Sequence, residues 1–238
     1  MRRDTRPYWV KKAMDRLNTA YCERFLRPQF DELGIDPVFR NPRHFEIIGP
    51  DIRAGDHLHA LAARDAPISL VVYPETGGKI RIGSYVALSP GVRIKSATSI
   101  EVGDSCLIAE RVFITDADWH DYYDRIYPPG PMAPVRLEEN VWIGDGATIC
   151  KGVTIGKNSV VGTGSIVTTD VPPNTVVAGN PARPIRTLDE GARFVTRREM
   201  FLGAKPWGSF EDEMSYRYLS ENTLLDWFRA MFAPTRDM

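Results

Sequence analysis

The stretch that decides the fold runs from Ile143 to Pro172 and divides into blocks of six residues. The blocks read Ile143-Gly144-Asp145-Gly146-Ala147-Thr148, Ile149-Cys150-Lys151-Gly152-Val153-Thr154, Ile155-Gly156-Lys157-Asn158-Ser159-Val160, Val161-Gly162-Thr163-Gly164-Ser165-Ile166 and Val167-Thr168-Thr169-Asp170-Val171-Pro172. Every block opens with Ile or Val, and its fifth residue is Ala, Val or Ser. A repeat of fixed period indicates stacked structural units, and it identifies the architecture before local propensity does.

This repeat predicts a parallel coil of short strands. An aliphatic residue every six positions needs equivalent neighbours above and below it, since one coil cannot bury its own core. β-Branched residues suit the strands, and the glycines free the backbone for the turns. A run of hairpins is the alternative, but hairpins alternate with a period of two and have no reason to repeat every six residues.

The same residues resemble the hexapeptide-repeat acyltransferases, and in particular the sugar O-acetyltransferases of the galactoside and maltose type. The resemblance covers about residues 82–185 well, the first coils loosely and the terminal segments hardly at all. It implies a mainly β fold, a left-handed parallel β-helix with three hexads in each triangular coil. The left hand follows from the resemblance alone, because parallel crossovers are ordinarily right-handed.

The chain is expected to divide into three segments and one loop: an N-terminal helical segment at 1–44, the β-helix at 45–187 with an excursion loop at 116–136, and a C-terminal helical extension at 188–238. Apolar residues at helical spacing predict a helix from Pro7 to Phe30. In the extension, 189–202 and 210–232 read as helical, and their aromatic residues are expected to cover an open end of the coil or a neighbouring subunit. A long excursion in a repeat protein maps to one face, where such loops often bind ligands.

Composition argues against several kinds of partner. The 238 residues carry a formal net charge of -1, which gives no footprint for nucleic acid or an anionic membrane. No stretch is long and apolar enough to span a bilayer. Three widely spaced cysteines, Cys22, Cys106 and Cys150, form neither a disulfide framework nor a zinc pattern, and free thiols favour a cytoplasmic location. In the register of the repeat, His57 and His59 both fall at outward-facing positions, and the sequence offers no third ligand, so no metal is expected there.

His120 is the candidate general base. It lies in the excursion among Asp116, Asp118, Asp121 and Tyr122, and acidic neighbours favour a charged imidazole and offer an orienting partner. Histidine suits proton removal near neutral pH, although a histidine in a surface loop has the same pattern. In proteins that this chain resembles, a His in the loop that interrupts the repeat is the general base. Either Asp118 or Asp121 is expected to orient it.

Two further tracts receive roles from the resemblance. In the first, Trp142 would wall the active site beside Gly144, and the backbone N–H of Asp145 would point at the thioester oxygen. The second is expected to bind coenzyme A through Thr163, Thr168, Thr169, Asn180, Arg183 and Arg186. Guanidinium groups suit the coenzyme's phosphates geometrically. Thr169 departs from a Lys often found at its position.

These observations predict an enzyme, an acyl-CoA-dependent O-acetyltransferase that uses acetyl-CoA and no metal. The resemblance implies a homotrimer with active sites between subunits. Two alternatives remain open at this stage: a metal hydratase of the γ-carbonic anhydrase type, which needs three metal-binding histidines, and a non-catalytic β-helix scaffold. The sequence names neither the acceptor nor the acyl length, and it leaves transfer to an amine open.

Overall fold

Short parallel strands wind into a three-sided coil in the computed structural model of the chain, which describes residues 4–127, 129–203 and 207–233. The remaining positions of the predicted segments lie outside these residues. Each full turn of the chain adds one strand to each of three sheets, so that strands three apart in sequence are paired in parallel. This pairing confirms the parallel coil that the hexad repeat predicts.

The three sheets are named A, B and C. Sheet A contains β1 (Glu32–Leu33), β4 (Ile52–Ala54), β7 (Ile80–Ile82), β10 (Ile100–Val102), β13 (Val135–Leu137) and β16 (Thr154–Ile155). Sheet B contains β2 (Val38–Arg40), β5 (His59–Leu61), β8 (Ala87–Leu88), β11 (Leu107–Ile108), β14 (Trp142–Ile143), β17 (Val160–Val161), β19 (Thr175–Gly179) and the antiparallel β20 (Ala182–Thr187). Sheet C contains β3 (Phe45–Ile48), β6 (Ile68–Val72), β9 (Arg93–Ser96), β12 (Phe113–Thr115), β15 (Thr148–Ile149) and β18 (Ile166–Val167).

Three columns of turns join these sheets: corner I leads from A to B, corner II from B to C, and corner III from C to the next A. Corner I shows how the sequence forms such a column. Asn140, Asn158 and Asn174 occupy it with positive φ, a conformation that Asn tolerates better than most residues. Asn140 Nδ2 donates to Asn158 Oδ1 at 3.0 Å, and Asn158 Nδ2 donates to Asn174 Oδ1 at 2.9 Å. The ladder ties successive coils together.

The core lies inside the coil and follows the hexads. The residues that open the blocks between 143 and 172 are all buried: Ile143, Ile149, Ile155, Val161 and Val167. The fifth residues are buried as well, including two serines. Ser159 Oγ donates to Pro172 O at 2.7 Å, and Ser165 Oγ accepts from Gly179 N at 3.0 Å. The inward polar atoms therefore have the partners that burial requires.

The N-terminal segment closes the first coil. Helix α1 (Tyr8–Tyr21) continues through a π-helical turn (Cys22–Leu26) and a 3-10 turn (Arg27–Gln29), so this continuous run is the helix predicted from Pro7 to Phe30. Cys22, Leu26 and Phe30 are buried in the same core cluster as Phe39 of β2. The coil begins at β1, before residue 45, because its first strands lack the hexad pattern that makes the repeat readable.

The C-terminal extension is less helical than its sequence suggests. Its helices are α2 (Arg198–Leu202), α3 (Trp207–Leu219) and α4 (Leu224–Phe232). The predicted helix at 189–202 is confined to α2, since Asp189 Oδ1 accepts from Gly191 N at 2.9 Å and forms a turn instead. The predicted helix at 210–232 is two helices, because Thr223 caps α4 in a capping box with Asp226.

Helix α3 packs on α1 through the edge-to-face rings of Tyr8 and Tyr216, with centroids 5.1 Å apart. Phe228 and Phe232 of α4 remain 48% and 81% exposed. Within one chain the N-terminal segment, and not these aromatic side chains, covers the first coil. Cover by a neighbouring subunit stays a prediction.

The two histidines that invite a metal interpretation hold α2 and the turn before it against corner I. His57 stacks between Tyr85 and Phe201, with centroids 5.2 and 5.0 Å away. Arg197 Nε donates to Tyr85 O at 2.9 Å, and its Nη2 lies 3.4 Å from His59 Nδ1. Among the described residues, no group of three His, Cys, Asp or Glu side chains could hold a metal ion.

Candidate active site

The excursion leaves the coil at corner III, between β12 and β13, and a buried carboxylate fixes its root. Asp116 is fully buried, and its Oδ1 accepts from Ala97 N at 2.7 Å. Its Oδ2 accepts from Thr98 N at 2.9 Å and lies 2.7 Å from Ser96 Oγ. A buried carboxyl group needs such partners, and these bonds fix the position at which the loop leaves the coil.

The two arms of the excursion are bonded to each other above that root. Asp118 N donates to Pro131 O at 2.9 Å, and Gly130 N donates to Asp118 O at 2.7 Å. A Cβ on Gly130 would lie 2.5 Å from His120 O, so the close approach of the arms requires glycine there. The residues on either side of His120 are thus held by the backbone.

His120 itself is exposed, and its imidazole has no hydrogen-bond partner within the described part of the chain. Its neighbours are engaged elsewhere. Asp118 Oδ2 pairs with Lys151 Nζ at 2.7 Å. Trp119 packs on Tyr73 with ring centroids 4.6 Å apart. Asp121 Oδ1 accepts from Tyr123 N at 2.8 Å and caps a local turn. The ring is therefore free to meet a substrate, and either Asp118 or Asp121 as its orienting partner stays a prediction.

The second predicted element lies at corner II, in the turn Gly144-Asp145-Gly146 between β14 and β15. Gly144 N donates to Val161 O and Gly146 N donates to Glu110 O, both at 2.8 Å. Between them, the N–H of Asp145 has no partner among the described residues. An exposed backbone donor of this kind can stabilise a developing negative charge.

The equivalent turns of neighbouring coils differ in whether they leave a backbone donor free. Pro90 occupies the same place two coils earlier and has no N–H to offer, and the N–H of Glu110 is bonded by Asp145 Oδ1 at 3.1 Å. Thr163, one coil later, has an N–H without a partner in the described structure. The side chain of Asp145 thus accepts a hydrogen bond from the backbone of the preceding coil, while its own backbone N–H is left free.

Trp142 stands on the outer face of sheet B beside this turn. It is 51% exposed and lies in register between Leu107 and Val160. Gly144 has a packing role: a Cβ there would lie 2.7 Å from Thr163 N and 2.8 Å from Val161 O. Only glycine lets the next coil approach so closely, so its presence does not depend on a cofactor.

The predicted coenzyme residues occupy three places. Thr163 follows Asp145 along corner II, and Gly164 N donates to Asp145 O at 2.7 Å. Thr168 and Thr169 are exposed and follow β18 at corner III. The last set lies at the end of sheet B: Asn180 is exposed in the turn between β19 and β20, and Arg183 and Arg186 are exposed on β20.

His120 and Asp145 are not brought together within one chain. The turn of Asp145 precedes β15, while the excursion follows β12, and these two strands are parallel neighbours in sheet C. From Asp145 to corner III the chain advances six residues, or up to about 20 Å at the rise of a strand. The Trp119–Tyr73 contact ties the excursion to an earlier coil at corner III, so His120 stays on that edge.

Sequence reasoning missed two residues that shape this region. Asp116 was considered only as an acidic neighbour of His120, although it is the anchor of the loop. Lys151 receives no role from the sequence, because its position beneath the excursion depends on how the coils stack.

No helix in the described residues is long and apolar enough to cross a membrane.

Comparisons with known proteins identify the family of this chain. A family model described as bacterial transferase hexapeptide (six repeats) matches residues 134–169. Nodulation protein L of Rhizobium meliloti is 41% identical over 178 residues, which cover 74% of this chain and 81% of that protein. The galactoside O-acetyltransferase of Escherichia coli is 37% identical over 135 residues, which cover 56% of this chain and 66% of that enzyme.

A solved structure extends the agreement to the fold. A hexapeptide-repeat acetyltransferase from Vibrio cholerae, in complex with acetyl coenzyme A, is 30% identical and superposes with a TM-score of 0.51. The match covers 73% of this chain and 80% of that one. The family is indicated by the hexads, by the three-sided coil with its excursion at one corner, and by the identity to these relatives. The chain belongs to the hexapeptide-repeat acetyltransferases.

Proposed function

We propose that this protein transfers an acetyl group from acetyl-CoA to a hydroxyl of a sugar or other small acceptor, with His120 as the general base. The observation that carries the proposal is the exposed turn at corner II, where the N–H of Asp145 is unpartnered beside the exposed indole of Trp142. The acetyl-CoA complex of the Vibrio cholerae relative and the name of the Escherichia coli relative support the donor and the sugar acceptor.

The reaction needs only groups that the chain provides. His120 takes the proton of the acceptor hydroxyl as its oxygen attacks the thioester carbonyl carbon. The carbonyl oxygen becomes an oxyanion that the Asp145 N–H stabilises, a contribution of about 3 kcal/mol in comparable sites. The carbon–sulfur bond then breaks, and the leaving thiolate of coenzyme A takes the proton from the imidazolium.

The active form is proposed to be a homotrimer of left-handed β-helices. One chain keeps His120 at corner III and Asp145 at corner II, so a site that uses both needs two chains. Closed cyclic symmetry repeats the same contact around the ring and makes every site equivalent. In that arrangement corner III of one subunit faces corner II of the next, and acetyl-CoA lies between them.

The exposed arginines of β20 are proposed to hold the coenzyme's phosphates. Arg183 and Arg186 are both exposed, and apart from the donation of Arg183 Nη1 to Ala182 O at 2.8 Å, their guanidinium groups have no hydrogen-bond partner among the described residues. Thr163, Thr168 and Thr169 would contact the pantetheine arm or its phosphates, and Asn180 would shape the turn beneath them. Guanidinium groups free of carboxylates are available for phosphate oxygens.

We propose a cytoplasmic location on the state of the cysteines. Cys22 and Cys106 are buried and free, and Cys150 is half-buried and free. Burial raises the pKa of the Cys106 thiol to about 12, which keeps it protonated and unreactive. Free thiols fit a reducing compartment.

The experiment that tests this function mixes the purified protein with acetyl-CoA and a panel of methyl glycosides, maltose and an amino sugar. Release of the coenzyme thiol is followed by its absorbance after reaction with a disulfide reagent, and the products are identified by mass spectrometry. We expect an acetyl ester on a hydroxyl. An amide would redefine the acceptor, and no thiol release above the spontaneous rate with any member of the panel would contradict the proposal.

A further inference from the structure

An ion pair links the excursion to the coil that follows it. Lys151 Nζ lies 2.7 Å from Asp118 Oδ2, and both side chains are about one-third exposed. The charged hydrogen bond raises the pKa of Lys151, which therefore stays protonated across the physiological range. Asp118 lies two residues before His120, on the arm of the loop that carries it.

The register of the coil puts Lys151 directly beneath the root of the excursion. Phe113 pairs with Thr148 and Ile114 with Ile149, so that Lys151 comes one coil beyond Asp116 at corner III. Gly152 N, the next residue, donates to Ala133 O at 3.0 Å on the returning arm. Lys151 thus extends from a rigid part of the coil to the loop above it.

The pair is too exposed to add much stability. Partly exposed ion pairs contribute little to stability, and many contribute nothing measurable. The backbone of Asp118 is already fixed by Pro131 and Gly130, so the pair adds a third point of attachment to one residue. Three fixed points define an orientation, and the side chain two residues further on is His120.

We propose that Lys151 is a positioning residue for His120, which acts by holding Asp118 and with it the arm of the excursion. The inference rests on the proposed role of His120 as the base. An imidazole without a hydrogen-bond partner depends on its backbone for position, and a displacement of about 1 Å can cost about 100-fold in rate. Lysine supplies the reach that this contact needs, since its four-carbon stem spans from one coil to the next.

The test compares Lys151→Ala and Lys151→Arg with the wild type in acetyl-CoA turnover, with methyl β-galactoside and with water as acceptors. Lys157→Ala is the matched control, because Lys157 Nζ pairs with Glu139 Oε2 at 2.6 Å on corner I, away from the excursion. We expect Lys151→Ala to lower kcat by about 10- to 100-fold. The KM for acetyl-CoA and the melting temperature should stay near those of the wild type, Lys151→Arg should recover most of the rate, and Lys157→Ala should leave it unchanged.

Hydrogen exchange separates this inference from the proposed function. Amides of the excursion between 117 and 132 should exchange faster in Lys151→Ala, while those of the coil stay protected, whichever reaction the protein performs. If Lys151→Ala keeps the wild-type kcat while His120→Ala is inactive, the positioning role is wrong and the function stands. If His120→Ala is fully active, His120 is not the base and the positioning role is wrong with it, while a wild-type protein that releases no thiol would contradict the proposed function. A rate loss that follows a fall in melting temperature and is not rescued by arginine would show a purely structural lysine.

Discussion

His120 and Asp145 lie on two different edges of successive coils, at opposite ends of neighbouring strands of sheet C. The proposed mechanism uses the exposed imidazole as the base and the unpartnered N–H as the oxyanion donor, and one chain holds these two groups apart. The coil is a rigid stack of paired strands, so it cannot bend to close that gap. A site that uses both groups would therefore need two chains, as in the proposed homotrimer.

Removal of the imidazole tests the general base. Because proton removal by a positioned base contributes about 100- to 10,000-fold, His120→Ala should lower kcat by that factor and leave the KM for acetyl-CoA and the oligomeric state unchanged. The measurement is thiol release under saturating donor. His44→Ala is the control, since His44 lies in the first coil and its side chain makes no hydrogen bond among the described residues. Equal rates for His120→Ala and wild type would refute the assignment.

The backbone donor at corner II is testable by substitution because the fold itself shows that proline fits there. Pro90 holds the equivalent place in an earlier turn. Asp145→Pro removes the N–H, and Asp145→Ala removes the same carboxylate but keeps the N–H. We expect kcat of Asp145→Pro to lie about 100- to 1000-fold below that of Asp145→Ala.

The comparison between these two variants is the informative quantity, since both lose the bond from Glu110 N to Asp145 Oδ1. Melting temperatures of the two proteins check that the turn is intact. Rates that agree within about two-fold, where a lost donor should cost about 100-fold, would mean that the Asp145 N–H takes no part in the reaction.

The arginines of β20 are expected to carry the affinity for the coenzyme. A ligand that binds only the folded state raises the melting temperature, and acetyl-CoA at 100 times its Kd should stabilise by about 2.7 kcal/mol. The double variant Arg183→Ala, Arg186→Ala should lose most of this shift. Arg198→Ala, another exposed arginine, is the control. An undiminished shift in the double variant would place the phosphates elsewhere.

Acid should loosen the contact between the C-terminal extension and the coil. Burial, with the charges of Arg197 and Arg40, lowers the pKa of His59 from 6.5 to about 4. The unfolded chain therefore binds the proton first, so the stability that the neutral ring gives is complete above pH 6.5 and is lost as the pH falls toward 4, by up to about 3 kcal/mol. Urea unfolding of wild type and His59→Gln from pH 7 to 4 measures this, and a loss of equal size in both proteins would contradict it.

The hexads predict much of the fold, because their period reflects the stacking of equivalent inward residues in successive coils. The residues that open the blocks from Ile143 to Val167 point inward as the sequence predicts. The sequence does not predict the first coil, because its core lacks the hexad pattern. Phe39 fills that core together with Leu26 and Phe30 of the N-terminal segment. Tertiary packing there replaces the local pattern.

The sequence predicts which residues are candidates for the site, but it does not predict how they are arranged in space. The excursion identifies His120 as a candidate. Because the hexad repeat stops at Asp116, the sequence does not predict how the loop is attached to the coil. The Asp118–Lys151 pair joins residues 33 positions apart, and it depends on the stacking of coils at corner III. The left hand of the coil and its trimeric state come from resemblance and remain proposals.

The most direct test of the central claim is complementation between two inactive chains. His120→Ala and Asp145→Pro are produced together with different affinity tags, and mixed assemblies that carry both tags are purified and assayed for thiol release. If each site takes His120 from one subunit and the Asp145 N–H from its neighbour, every mixed trimer contains one intact site in three, and activity should recover to about a third of wild type. Mixed assemblies no more active than their inactive parents would show that the two groups do not meet across a subunit boundary, and the proposed site would be wrong.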